Sequence, residues 1–321
     1  MKRIIKNIDA ELWEAISNSA FNQIDYESLL VNNPAKIREE EMNIIVKEGP
    51  LAIPKQLDVE NIHIPSSDKF RKIRLRLYKA KGKQNLPVLL YFHGGAFIYG
   101  TPEQYDFLFF RLALDIDMMI VSVDYRLAPE HPFPAGMQDG FDALLWLSQH
   151  AEQIEGNKDN ILIGGSSAGA TMAASVTQLA RDTKKAEIKH QYLLYPPMSH
   201  LLQTPSMNEL AHAPMQTQKA AALMWKHYLQ HTIIQPPKYA VPLLVENFHN
   251  LPNATIIVCE IDPLKDEAKI YARELEKAGI LVNLCEIKGA VHAFDFFSCS
   301  LSNHFYTKQI ELFNQILNPE Q

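Results

Sequence analysis

The rhythm of apolar and polar positions changes near residue 50. Before it, Ile8 to Ser19 places apolar residues at close to helical spacing, and residues 1 to about 50 read as amphipathic helix of mixed charge. Pro50 and Pro54 then punctuate the chain, and beyond them the period shortens to two. Val59 to Pro65 and Lys72 to Lys79 alternate apolar and polar side chains, as paired strands do. Leu86 to Phe92 is almost continuously apolar, which suits a strand buried on both faces. From there helices and strands take turns. Helices are expected at 105–116, 140–154, 168–181, 266–278 and 305–317. Strands are expected at 118–123, 160–164, 191–195, 254–259 and 282–287. Such alternation predicts an α/β architecture, a mostly parallel central sheet with helices on both faces. Ser199 to Pro237 breaks the pattern with a helix-like piece at about 217–230, and is expected to be an insertion over the sheet.

Composition narrows the function classes. The chain has 321 residues, 47% hydrophobic and 21% charged, which is ordinary for a globular enzyme and long enough for a deep core. A formal charge of -6 leaves no basic excess to neutralise phosphates, so no nucleic-acid partner is expected. The basic stretch from Arg71 to Lys83 alternates with apolar residues and is expected to be a solvated strand face. Cys259, Cys285 and Cys299 form no C-x-x-C pair, so zinc and dithiol motifs are missing, and a sparse odd set suits the cytoplasm. The N-terminal MKRIIKNIDAELWEAIS is broken by charge before a signal-peptide core develops, and no run of eighteen apolar residues predicts stable membrane insertion.

Gly165-Ser166-Ser167-Ala168-Gly169 fits G-x-S-x-G. It follows the apolar Ile161-Leu162-Ile163 directly and precedes a helix, the strand–turn–helix setting of a nucleophile elbow. Glycines are needed there because strand and helix crowd the turn. Ser167 is therefore the candidate nucleophile, and Ser166 lacks the flanking glycine spacing. A serine hydroxyl needs a base, and the base an orienting carboxylate. Enzymes with this elbow carry them in the chain order serine, acid, histidine. His190 to His249 come too early. His292 lies just after the last strand, where α/β sheets place their sites, and His304 starts the closing helix. Asp262 follows its strand almost at once and precedes Pro263. Glu260 is the competitor, and Asp266 is expected to cap the next helix. The N–H of Ala168, after the nucleophile and at a helix start, is a natural oxyanion donor.

Five segments carry a family resemblance: YFHGGAFIYG from Tyr91, DYRLAPEHPFPA from Asp124, GGSSAGA from Gly164, DPLKDE from Asp262 and VHAF from Val291. In order and spacing they resemble the hormone-sensitive-lipase-like family of α/β-hydrolase esterases over roughly residues 80 to 300. The resemblance implies the α/β-hydrolase fold with a helical cap, and Ser167, Asp262 and His292 as a catalytic triad. It implies Gly95, Ala96 and Ala168 as oxyanion-hole donors and a structural role for DYRLAPEHPFPA. It also implies hydrolysis of short- to medium-chain carboxylic esters, with no metal or organic cofactor. The cap would be residues 1–50 plus the insertion at about 199–237, on a catalytic domain of residues 51–321. Trp13, Phe21, Met215 and Trp225 are candidates for its mouth. Three positions depart from the family: Ala96 for a third glycine, Ser166 for the usual aspartate, and Ala293 for the glycine after the histidine. Two other readings share the fold, an amidase or deacetylase and a non-catalytic small-molecule receptor. The first partner expected is a small-molecule ester; a homodimer paired through the closing strand is compatible with the resemblance.

Overall fold

The computed structural model describes residues 2–318. The outer ends of the two expected segments, residues 1 and 319–321, lie outside them. The strands are β1 (Leu57–Pro65), β2 (Lys72–Ala80), β3 (Leu86–Phe92), β4 (Met119–Asp124), β5 (Gly156–Ser166), β6 (His190–Leu194), β7 (Asn253–Ile261) and β8 (Val282–Val291). The helices are α1 (Lys2–Ile5), α2 (Ala10–Asn18), α3 (Tyr26–Asn32), α4 (Lys36–Glu48), α5 (Asp106–Asp115), α6 (Ala135–His150), α7 (Ala168–Thr183), α8 (Pro205–Glu209), α9 (Gln218–Leu229), α10 (Lys265–Lys277) and α11 (Ser300–Leu317).

The strands form one eight-stranded sheet in the order β1-β2-β4-β3-β5-β6-β7-β8. β2 runs antiparallel to both β1 and β4, and every other neighbouring pair is parallel. Successive side chains leave a strand on opposite faces, so each strand serves two cores. Val88, Leu90 and Phe92 join α6, α7 and α10 in one buried cluster. Leu89 and Tyr91 join α2, α5 and α11 in the other. The expected architecture of a mostly parallel sheet covered on both faces is the one observed.

Some boundaries differ from expectation for identifiable reasons. α6 starts at Ala135 rather than at Gly140. Gly136 looks like a helix breaker, but a Cβ there would lie 2.7 Å from the Arg126 carbonyl oxygen, so close packing accounts for the glycine. β5 starts at Gly156, because the polar Gly156–Asn160 stretch continues the strand and Gly156 still pairs with Leu86. Asp266 does not cap α10. Its Oδ2 accepts the N–H of Ser206 at 2.8 Å, at the start of α8, which ties the insertion to the first turn of α10.

The N-terminal helices divide their packing. α2 buries Leu12 and Ile16 in the cluster shared with α11. It is pinned to the far end of the chain: Asp9 N donates to Gly289 O at 3.0 Å, and Ser300 N donates to Glu11 Oε2 at 2.9 Å. α3 and α4 lie instead against α9. His227 Nε2 donates to Leu30 O at 2.7 Å, and the Thr217 hydroxyl donates to Glu27. Among the described residues, no helix is long and apolar enough to cross a membrane.

Glu41 on α4 is buried, with Tyr26 OH and Gln104 Nε2 each donating to its carboxylate at 2.9 Å. Burial raises its pKa to about 7, and the two donors oppose that rise. A proton then binds the folded protein more tightly than the unfolded chain. The stabilisation is complete below about pH 4.5 and is lost as pH climbs to about 7, an effect of about 3 kcal/mol. Glu41→Gln is neutral at every pH. The expected result is that wild type and Glu41→Gln match near pH 4.5, and that wild type falls behind by pH 8 in denaturant melts. Parallel stability curves across that range would refute the assignment.

Candidate active site

Ser167 sits in the turn between β5 and α7 with φ +51° and ψ −125°, a conformation that costs an L-residue energy and persists because the turn is held on both sides. Ser167 N donates to Leu194 O at 2.9 Å, and Ala170 N donates to Ser167 O at 2.9 Å. The glycines of the motif permit the approach. A Cβ on Gly165 would collide with the Gly169 backbone, and one on Gly169 with the Phe92 and His93 carbonyls. The turn therefore lifts the Ser167 hydroxyl above the sheet, where two loops reach it.

One loop follows β8 and carries His292; the other follows β7 and carries Asp262. His292 Nε2 lies 2.8 Å from Ser167 Oγ, and His292 Nδ1 lies 2.6 Å from Asp262 Oδ2. Because the carboxylate accepts, Nδ1 carries the proton and Nε2 presents a lone pair to the serine. Asp262 is 1% exposed, and its Oδ1 accepts the N–H of Leu264 at 2.9 Å, which locks the carboxylate plane. Glu260 points elsewhere and accepts from Gly289 N at 2.8 Å. His304 is exposed on α11. Ser166 is buried, and its hydroxyl is hydrogen-bonded to Tyr105 OH.

The loop after β3 runs over the same spot. Gly95 has φ +120°, and a Cβ on it would collide with Tyr99 O. Ala96 follows at φ +55° and Phe97 at φ +62°. Ile98 N and Tyr99 N both donate to Gly95 O, at 2.8 and 2.9 Å, which closes a tight turn. Gly94 N is committed to Tyr105 OH at 2.9 Å. The N–H groups of Gly95, Ala96 and Ala168 take no protein acceptor among the described residues. Ala96 thus holds a left-handed backbone, at a cost of roughly 1 kcal/mol. Its N–H remains a donor.

The segment read as structural does hold this loop. Tyr125 OH donates to His93 O at 2.7 Å, and Ala128 N donates to Phe97 O at 2.8 Å. Arg126 grips the fully buried Asp139 through Nε and Nη2, while its own N–H donates to the same carboxylate at 2.9 Å. His93 is stacked on Tyr125 with centroids 4.2 Å apart, and its Nδ1 donates to Gly94 O at 2.7 Å. Burial lowers its pKa to about 4, so the ring beneath the loop is neutral.

Two carboxyls near the site, Glu267 buried and Asp295 half-buried, were not legible as site residues. Asp295 takes the Tyr195 hydroxyl at 2.7 Å, and the Tyr195 ring meets the His292 ring edge to face at 4.8 Å. Burial raises the Asp295 pKa. Glu267 accepts from Ser199 N at 2.8 Å and fastens the start of the insertion to α10; burial holds its pKa well above the carboxylate range. Glu267 closes the DPLKDE segment and Asp295 directly follows VHAF, but nothing in either segment distinguished the two carboxyls. Of the expected mouth residues, Trp225 is fully buried against Phe97 and Tyr228, whereas Met215 is 43% exposed. Trp13 is half-buried on the α2–α11 cluster, and Phe21 is half-buried.

A buried row of carboxylate, imidazole and hydroxyl beside three unpaired N–H groups is equipped to make a serine nucleophilic and to hold a developing oxyanion. Residues 89–296 match the family model described as alpha/beta hydrolase fold. The esterase LipI of Mycobacterium tuberculosis is 38% identical over 209 residues, 65% of each chain, and the carboxylic ester hydrolase LipN matches over 64% of its own length. The chain therefore spans slightly under two thirds of these two relatives. An arylesterase of Saccharolobus solfataricus is 30% identical over 81% of this chain and 83% of its own. Among solved structures, a bacterial heroin esterase superposes with a TM-score of 0.90 at 27% identity, covering 98% of this chain and 99% of that one. The chain belongs to the α/β-hydrolase family, in its hormone-sensitive-lipase-like group.

Proposed function

We propose that this chain is a serine carboxylic ester hydrolase with Ser167 as nucleophile, His292 as general base and acid, and Asp262 as the orienting carboxylate. The observation that carries the reading is the continuous hydrogen-bonded row from Asp262 through His292 to Ser167 Oγ. His292 takes the serine proton as Oγ attacks the ester carbonyl. The N–H groups of Gly95, Ala96 and Ala168 receive the oxyanion, and His292 returns the proton to the departing alcohol. Water enters, gives its proton to His292 and attacks the acyl-enzyme, and collapse frees the acid and Ser167. The relatives' names, esterase and arylesterase, support the substrate class.

The cap of this enzyme is α3, α4 and the insertion at about 199–237, set on a catalytic domain that begins near residue 51. Esters of short to medium acyl chain are the substrates, as the family resemblance implies. Three unpaired cysteines fit a reducing cytoplasm, and the free edge of β8 fits pairing of two copies. The test is hydrolysis of p-nitrophenyl esters of rising acyl length together with labelling by a fluorophosphonate. Expected are a rate optimum at short to medium chains and one phosphonyl group on the peptide containing Ser167. Folded protein that turns over no ester would overturn the reading.

A further inference from the structure

The oxyanion loop is gripped from outside by a residue with no part in the cycle above. Arg38, on α4, donates from Nε to Ile98 O at 2.6 Å and from Nη2 to Ala128 O at 2.7 Å. Nη1 and Nη2 also meet the Glu130 carboxylate at 3.1 and 2.7 Å. Ile98 and Ala128 are buried, and neither carbonyl takes another protein donor among the described residues. Ala128 N in turn donates to Phe97 O. The guanidinium therefore straddles the two chain segments that frame Ala96 and Phe97.

Packing around it points the same way. Leu30, Ile37, Ile98 and Ala128 form one buried cluster, with Ala96 and Tyr99 packed against it. The Tyr26 and Tyr99 rings pair at 5.5 Å. Ala96 and Phe97 both occupy the left-handed region, a conformation that persists only where neighbours over-determine it. The half-exposed Glu130 arm adds little by itself. Two buried carbonyls on a planar fork impose direction as well as attraction, and a lysine ammonium cannot reproduce that geometry.

We infer that Arg38 is a positioning residue: its guanidinium couples the seating of α3 and α4 to the geometry of the oxyanion donors at Gly95 and Ala96. The inference rests on the ester-hydrolase reading. With the fork removed, the loop relaxes, and the N–H groups lose their aim at an oxyanion that exists only along the reaction path. The loss therefore falls on kcat more than on KM.

The experiment compares wild type with Arg38→Ala, Arg38→Lys and Glu130→Gln on a short p-nitrophenyl ester, with melting curves as the fold control. Expected for Arg38→Ala is a fall in kcat of about 10- to 100-fold with KM within about threefold, partly restored by added guanidinium ion. Arg38→Lys loses most of the same factor, and Glu130→Gln stays within about threefold of wild type in kcat. Folded Arg38→Ala with wild-type kcat would overturn the inference. If that variant does not fold, Arg38→Lys decides it: lowered kcat at unchanged KM supports the coupling, and wild-type kcat removes it. Wild-type turnover separates the two claims, because an inactive wild type counts against the ester-hydrolase reading and an active one with an indifferent Arg38 counts against this inference alone.

Discussion

Ser167→Ala is expected to lower ester turnover by on the order of 10⁵- to 10⁶-fold while leaving the melting temperature within a few degrees. The size follows from the geometry. The variant keeps the three N–H donors and the buried imidazole, so substrate still docks and its carbonyl is still polarised, but no acyl-enzyme forms. What remains is attack by water, for which no position has been prepared. The loss should appear in kcat, together with disappearance of the phosphonyl adduct. Retention of more than about one part in a hundred of the wild-type rate, in protein free of wild-type carry-over, would mean that another group attacks. Ser166 would not be the first candidate, since its hydroxyl is bonded to Tyr105 rather than to the imidazole.

Asp262→Asn is expected to cost about 10⁴-fold in kcat through the tautomer of His292 rather than through bulk charge. Asp262 Oδ1 accepts the Leu264 N–H, and Oδ2 accepts the His292 Nδ1–H. An asparagine amide has one oxygen and one NH₂ for these two places. The Leu264 N–H can only donate, so it claims the oxygen, and the NH₂ turns toward the imidazole. Nδ1 must then accept, which moves the ring proton to Nε2, where it faces Ser167. A base that already carries a proton at the reacting nitrogen cannot take another from the serine. The check is kcat against pH for the variant alongside a ¹⁵N spectrum of the imidazole. A Nδ1–H tautomer in the variant, or kcat within tenfold of wild type, would rule out this account.

The parts of this site that were legible from sequence are those whose chemistry is local. Gly165 and Gly169 lie two residues either side of Ser167, and strand and helix patterns flank them directly. His292 and Asp262 were legible because each closely follows a strand. What stayed hidden depends on partners distant in the chain. Arg38 finds its carbonyls 60 and 90 residues away, and Glu41 meets Gln104 at a separation of 63. Nothing in an amphipathic N-terminal helix distinguishes those two side chains from their solvated neighbours. Asp266 was misjudged for the same reason: an acidic residue near a helix start suggests a cap, whereas its acceptor role is filled by Ser206 from the insertion. Trp225 looked like a surface for substrate because aromatic residues in an insertion suit a mouth, but tertiary packing took it fully into the core.

The order of the strands also sets a timetable. Ser167 precedes His292 by 125 residues, and Asp262 precedes it by 30. At ribosomal speeds of about 5–20 residues per second, the serine is made roughly 6 to 25 s before its base. Throughout that interval the elbow holds an ordinary alcohol with no means of ionising. The last strand then meets the start of α2, because the Asp9 N–H donates to Gly289 O, so β8 is clasped by residues made long before it. On the proposed triad, reactivity is thereby withheld from the nascent chain until β8 and the loop after it have folded onto the elbow.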